Sequence, residues 1–137
     1  MSYRPIRLAP GADLRHALER EAAAAPAGSA FFVVAGIGSL SGASLRLAAA
    51  EVATCLAGPF EIISLAGTLA TDGTHLHMSI ADGAGRILGG HVGYGNTIGT
   101  TAEVLLVAVE GWRFARVFDP ATGYRELEAR RAGEGAA

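Results

Sequence analysis

The segment THLHMSIADGAGRILGGHV, from Thr74 to Val92, constrains the fold of this chain more than any other part of the sequence. Its first part alternates between polar and apolar residues, which is the period of a half-buried β-strand. The glycine-rich stretch DGAG follows and is typical of a tight turn. The segment therefore predicts two antiparallel strands joined by that turn.

Three of the four histidines lie in this hairpin, at His75, His77 and His91. Successive side chains of a strand point to opposite faces, so His75 and His77 project from the same face. Imidazole is a common zinc ligand, with zinc–nitrogen bonds of about 2.0–2.1 Å. Three imidazoles on one face predict a site for a divalent metal, with zinc as the first candidate, or for a small ligand. The alternative is an ordinary polar sheet face whose histidines bond to nearby acceptors.

His91 joins the other two histidines only in some registers of the hairpin. If Ala81 pairs with Arg86, His91 falls on the apolar face. If a five-residue connection pairs Ala81 with Ile87, His91 lies directly opposite His77 on the histidine face. A bulge at the two glycines before His91 would have the same effect.

A three-histidine site with an open fourth position also suits a catalytic zinc, which needs an acid or base close to the bound water. Glu103, at the start of the next core strand, is the catalytic candidate, and a surface glutamate at a strand end is the favoured alternative. The phosphate-loop, dinucleotide-binding and nucleophile-elbow patterns do not occur. We therefore interpret the glycines as tight turns and close packing between strands or subunits, and enzymatic activity stays an alternative.

The rest of the chain predicts an α+β domain (α/β in the broad sense) with a central, mainly antiparallel sheet. One helix begins after Asp13, whose carboxylate suits the N-cap, and carries an apolar stripe at helical spacing. SLSGASLRLA is expected to be a loop or helical turn, residues 50–56 are open between strand and helix, and Gly58-Pro59 is expected to break the chain. Besides the hairpin, strands are predicted at residues 3–9, 30–38, 60–70, 102–109 and 112–118, about seven in all.

The chain has 137 residues, which fits one domain over residues 1–137, with a core at about 4–127 and a polar tail at 128–137. Charged residues make up 18% of the chain, below the roughly 25% of an average soluble domain, which favours an oligomer. The net charge of −2 is not that of a stand-alone nucleic-acid binder. Arg130 and Arg131 are adjacent, but Glu126, Glu128 and Glu134 surround them and indicate a solvated tail.

Cys55 is the only cysteine, so no intrachain disulfide can form. Its small apolar neighbours predict a reduced, packed thiol, as in a cytoplasmic protein. No apolar segment follows Arg4 and Arg7 to form a signal peptide. The longest apolar runs are shorter than the ~18–20 residues of a membrane span, so no membrane partner is expected.

Three stretches, GIGSLSGASLR, GPFEIISLAGTLATDGTHLHMSIADGAGRILGGHV and TAEVLLV, resemble the plants and prokaryotes conserved (PPC) domain. The resemblance covers roughly residues 4–127. It implies a central antiparallel sheet and assembly as a homotrimer. In plant members the domain follows AT-hook motifs that bind DNA, and itself serves trimer formation and partner contacts.

This chain lacks the R-G-R-P core of an AT-hook, so DNA-associated regulation is an alternative that neither charge nor motif supports. Bacterial and archaeal members resemble this chain in keeping H-x-H and GGH. For His75, His77 and His91 the resemblance therefore implies a site, with zinc as the candidate metal, rather than a DNA contact.

Overall fold

The computed structural model describes residues 2–133, which form one seven-stranded antiparallel sheet and one helix. The fold class and the number of strands are as predicted from the sequence. In chain order the elements are β1 (Ser2–Leu8), α1 (Leu14–Ala23), β2 (Ser29–Arg46), β3 (Thr54–Ala70), β4 (Gly73–Ala81), β5 (Ile87–Val92), β6 (Thr97–Asp119) and β7 (Tyr124–Arg131).

The strands follow the order β1-β6-β2-β3-β4-β5, and β7 pairs with the second half of β6. The sheet also closes on itself, because the end of β2 pairs with β5 through Leu45 with Val92 and Arg46 with His91. Register shifts along β2, including one between Leu40 and Gly42, accompany this curvature. As a result β5 lies between β4 and the end of β2.

Helix α1 packs its apolar stripe onto the inner face of the sheet. Asp13 is its N-cap, as predicted, and accepts a hydrogen bond from the backbone N–H of His16 at 2.9 Å. The second carboxylate oxygen of Asp13 accepts from Gly95 N–H at 2.6 Å, which ties the helix to the loop after β5. The largest fully buried side chains include Leu14, Leu18, Leu40, Leu45, Leu65, Leu69, Leu76, Ile80, Ile98 and Leu106.

Two predicted interruptions are strands in the structure. The stretch after residue 38, expected to be a loop or helical turn, continues β2 as far as Arg46. Leu40, Ala43 and Leu45 are buried there, but the serines and glycines between them hide the alternation. Gly58-Pro59, expected to break the chain, lies inside β3 with a cis peptide bond.

The C-terminal third also differs from its prediction. The strands expected at 102–109 and 112–118 are one long strand, β6, and the seventh strand is β7. The predicted polar tail at 128–137 therefore overlaps β7 as far as Arg131. Charged residues alternate along one face of β7, where they are half-buried and Arg130 pairs with Glu128 at 2.6 Å. Glu134 lies outside the described residues.

Cys55 is exposed, and the prediction of a packed thiol was wrong. It lies near the start of β3, where alternate side chains point outward. Within residues 2–133, no helix is long and apolar enough to cross a membrane.

Candidate metal centre

The β4–β5 hairpin has the register that gathers the histidines. Ala81 pairs with Ile87, and His77 pairs with His91, through the predicted five-residue connection. Asp82 stabilises that connection by accepting from the backbone N–H groups of Ala84 at 2.9 Å and of Arg86 at 3.0 Å. The bulge considered as an alternative is not needed.

Two glycines allow the strands around the histidines to approach closely. A Cβ atom on Gly67 of β3 would lie 2.1 Å from the His75 carbonyl oxygen. A Cβ atom on Gly90 of β5 would lie 2.8 Å from the Arg46 carbonyl oxygen. Both distances are shorter than any real carbon–oxygen contact, so only glycine fits at either position without moving a strand. Gly90 has the predicted role in close packing between strands.

The three imidazoles form one compact group on the outer face of the hairpin. The Nε2 atoms of His75 and His77 are 3.1 Å apart, and one ligand atom from each of the three rings lies within 4.8 Å of the others. Two nitrogens on one tetrahedral zinc ion are about 3.3 Å apart, given bonds of about 2.0–2.1 Å. Small side-chain rotations would therefore bring all three nitrogens onto one ion.

The environment favours the neutral, metal-binding form of the imidazoles. Burial, together with the neighbouring His75, Arg46 and His77, lowers the pKa of His91 to about 4. Burial is also the main cause that lowers the pKa of His75, with His77 and Arg116 acting in the same direction. Metal ions bind to neutral imidazole. At neutral pH these two rings are already deprotonated and can bind a metal ion without releasing a proton.

A cavity of about 600 Å³ lies beside the histidines, and His75 and His91 form part of its wall. Its volume is in the range of small-molecule sites, about 300–1,000 Å³. The charged residues of its lining are Arg15, Arg46, Arg116, Arg125, Asp72 and Glu126. This lining could not be predicted from the sequence, because its charged members come from α1, β2, β6, β7 and the β3–β4 turn. All eleven basic residues are arginines, but that composition does not reveal which of them converge.

Glu103, the catalytic candidate predicted from the sequence, does not lie beside the three histidines of the same chain. It is an exposed residue of β6, between Arg7 of β1 and Ile37 of β2 in the sheet. The cavity that it borders contains none of the three histidines. The carboxylates of the histidine-lined cavity are Asp72 and Glu126 instead.

The fold and the site together define a small antiparallel-sheet protein with a three-histidine centre on a β-hairpin. The family model of the Plants and Prokaryotes Conserved (PCC) domain matches residues 3–110. The chain belongs to this family.

Comparison with solved structures supports the same fold. A hypothetical protein from Salmonella enterica is 35% identical with a TM-score of 0.90, and the match covers 95% of this chain and 94% of that one. A metal-containing protein from Archaeoglobus fulgidus is 25% identical with a TM-score of 0.78, covering 93% and 94% of the two chains. A protein from Ralstonia eutropha JMP134 carries a provisional name as DNA-binding. It is 23% identical with a TM-score of 0.77, over 90% and 89% of the two chains, a likeness that shows the fold alone.

Among curated proteins, the bifunctional protein GlmU from Synechococcus sp. (strain JA-3-3Ab) is 47% identical over 130 residues. That match covers 95% of this chain but only 21% of the relative. The chain thus spans about a fifth of the length of the curated relative that it matches.

Proposed function

We propose that this protein binds a divalent metal ion, with zinc as the first candidate, through His75, His77 and His91. The observation that carries the proposal is the convergence of three imidazole nitrogens within 4.8 Å of one another on one hairpin. The lowered pKa values of His75 and His91 support it, because both rings are neutral at physiological pH. The Archaeoglobus relative, which is described as a metal-containing protein, supports it from outside the chain.

The choice of zinc follows from the ligand type. Calcium and magnesium prefer oxygen ligands, whereas imidazole suits zinc and the neighbouring transition metals. Three protein ligands leave one position of a tetrahedral ion open to water or to a second molecule. A three-histidine centre of this kind therefore suits binding of a further ligand better than a closed structural role.

Elemental analysis of protein purified without an affinity tag tests the proposal. We expect about one zinc ion per chain after equilibration with zinc and removal of the excess. We also expect zinc to raise the melting temperature, because a ligand that binds only the folded state stabilises it. His77→Ala should abolish that rise. A wild-type chain that holds no metal and melts unchanged in zinc would contradict the proposal.

We further propose that the protein assembles as a homotrimer, as its family resemblance implies. Several large apolar side chains of β2 and β3 are exposed, and other copies of the chain are the occupants that we assign to this surface. They are Phe32, Val34, Ile37 and Ile63. Sedimentation equilibrium should give three times the chain mass, and a monomer at micromolar concentration would reject the assembly.

We place metal binding ahead of DNA association and of metal-dependent catalysis. The relatives with provisional DNA-binding names are below 25% identity, where only the fold carries over. A mobility-shift assay with AT-rich duplex at low salt tests this order, since phosphate contacts make DNA binding salt-sensitive. A salt-sensitive mobility shift with the metal-free protein would place DNA association ahead of metal binding.

A further inference from the structure

The cavity beside the histidines holds more positive than negative charge. Four arginines face two carboxylates there, although the whole chain has a net charge of −2. Guanidinium groups match the oxygens of phosphate and carboxylate groups with paired N–H donors. A ligand can be bound only by those arginines whose N–H groups are not already engaged within the protein.

Two of the four arginines are engaged in holding the fold. Arg15 donates to the carbonyl oxygens of Val92 at 2.9 Å and of Thr74 at 3.1 Å, and it pairs with Glu19 at 2.8 Å. It thereby joins α1 to the edge of the histidine hairpin.

Arg125 donates to the carbonyl oxygen of Arg116 and lies 3.4 Å from the Asp72 carboxylate. Asp72 also accepts from the backbone N–H of Arg116 at 3.0 Å. Arg125 and Asp72 are therefore largely satisfied by each other and by the backbone.

Arg116 and Arg46 have N–H groups that are free to donate to a ligand. Arg116 is only 7% exposed, and its guanidinium donates to the Thr68 hydroxyl, but its Nε has no acceptor. Arg46 makes one long hydrogen bond, 3.3 Å, to the carbonyl oxygen of Ala50. A buried donor without an acceptor lowers the stability of the fold, and a bound oxygen atom can relieve that loss.

Thr74, the residue before His75 in β4, also borders the cavity, but its side chain points to the opposite face of the strand. It is 7% exposed, and its hydroxyl is buried without a hydrogen-bond partner among the described residues. Native proteins leave few buried polar groups unpartnered, so the free Nε of Arg116 favours a polar ligand on its side of the strand. Gly73 shapes this wall, because a Cβ atom there would lie 2.7 Å from Cγ of Arg116.

The same cavity adjoins the proposed metal. Arg46 pairs with His91 across β2 and β5, and His75 and His91 form part of the cavity wall. Arg46 therefore lies beside one of the rings that would hold the metal. Glu126, the remaining carboxylate of the lining, offsets part of the positive charge of the arginines.

We propose that this cavity binds a small molecule through an oxyanion, a phosphoryl or carboxylate group, held by Arg46 and Arg116 beside the metal. The inference rests on the proposed function only for the contact with the metal. The arginine contacts do not require it.

Calorimetric titration tests the proposal, with inorganic phosphate and succinate as probes at low ionic strength. The full chain is used both free of metal and loaded with zinc, after the excess zinc has been removed. We expect one site per chain for at least one probe, with tighter binding to the zinc-loaded protein. A stronger response to phosphate assigns a phosphoryl ligand, and a stronger response to succinate assigns a carboxylate.

Matched arginine variants show whether binding occurs in this cavity. Arg46→Gln and Arg116→Gln should each raise the dissociation constant at least about tenfold, as expected for loss of a charged hydrogen bond. Arg46 is only partly buried, so its variant stays informative if Arg116→Gln does not fold. Arg86→Gln removes the same charge from the exposed hairpin turn and should leave binding within about twofold.

The outcomes separate the two proposals. If zinc binds but neither probe binds, or if Arg46→Gln and Arg86→Gln bind alike, the oxyanion site is rejected and the metal site stands. If zinc does not bind but a probe binds in an Arg46-dependent manner, the metal site is rejected and the oxyanion site stands.

Discussion

His77 of β4 and His91 of β5 are directly opposed partners in an antiparallel ladder, although fourteen positions separate them in the sequence. Directly opposed residues have Cβ atoms about 4.5–5.5 Å apart, so this single pairing brings the second strand's histidine into reach of the first. His75, two residues from His77 on the same face, completes the group. One register of one hairpin therefore builds the whole centre.

Each histidine of the group should matter for metal affinity. We expect His75→Ala and His91→Ala each to weaken zinc binding by more than tenfold, since even loss of an outer-shell partner costs about 10–100-fold. Competition with a chromophoric chelator measures the change. His16→Ala is the matched control, because His16 is exposed on α1 and stacks on Tyr94. Equal affinity of His91→Ala and His16→Ala would contradict the assignment.

The metal-free protein should lose stability on mild acidification through His91. Burial and the neighbouring His75, Arg46, His77 and Arg15 lower its pKa in the folded state to about 4, against an ordinary value of 6.5. Between these values the unfolded chain binds more protons, so stability is complete above pH 6.5 and falls as the pH drops toward 4.

Urea unfolding of the metal-free protein from pH 7.5 to pH 4.5 measures this loss. The wild type should lose more stability over that range than His91→Asn, which cannot titrate at this position. Superimposable pH profiles of the two proteins would show that the fold does not oppose protonation of His91.

The hairpin and its register could be predicted because they depend on a local pattern. Apolar residues at every second position of β4 must share one face, and only a pairing of Ala81 with Ile87 or a bulge keeps His91 off that face. Such a pattern is contained in nineteen consecutive residues, from Thr74 to Val92.

The cavity beside the centre could not be predicted in this way. Arg15, Arg46 and Arg116 lie on α1, β2 and β6, and only the closure of β2 onto β5 brings Arg46 next to His91. That closure in turn depends on residues 39–46 forming a strand, where serine and glycine mask the alternating pattern. Tertiary pairing, rather than local propensity, decides the structure of such a segment.

Gly90 should be intolerant of a side chain. A Cβ atom there would meet the Arg46 carbonyl oxygen at 2.8 Å, so Gly90→Ala must separate β5 from β2. We expect a loss of about 1–3 kcal/mol in the free energy of unfolding, together with weaker zinc binding, since His91 is the next residue. Gly83→Ala, where a Cβ atom meets nothing within 4 Å, should stay within about 0.5 kcal/mol of wild type. Denaturant unfolding of the two variants checks the contrast.

Asn96 should be important for stability, although the sequence gives no sign of it. Its side chain is fully buried and donates to the carbonyl oxygens of Ser44 at 2.9 Å and of Gly93 at 2.8 Å. It also accepts from the Ser44 N–H at 2.9 Å, which fixes the loop after β5 to β2. Asn96→Ala leaves these backbone groups unpaired and should cost at least about 2 kcal/mol.

The control for Asn96 is Ser41→Ala, which removes only an exposed hydroxyl with one hydrogen bond of 3.5 Å. It should change the free energy of unfolding by less than about 0.5 kcal/mol. Equal unfolding midpoints for the two variants would refute the role given to Asn96.

Anomalous scattering at the zinc edge, from crystals grown with zinc, tests the central claim most directly. We expect one strong peak per chain within about 2.0–2.1 Å of a nitrogen atom from each of His75, His77 and His91. Crystals of His77→Ala grown in the same way should lack it. If wild-type crystals grown with excess zinc show no peak between the three rings, the proposed metal site is wrong.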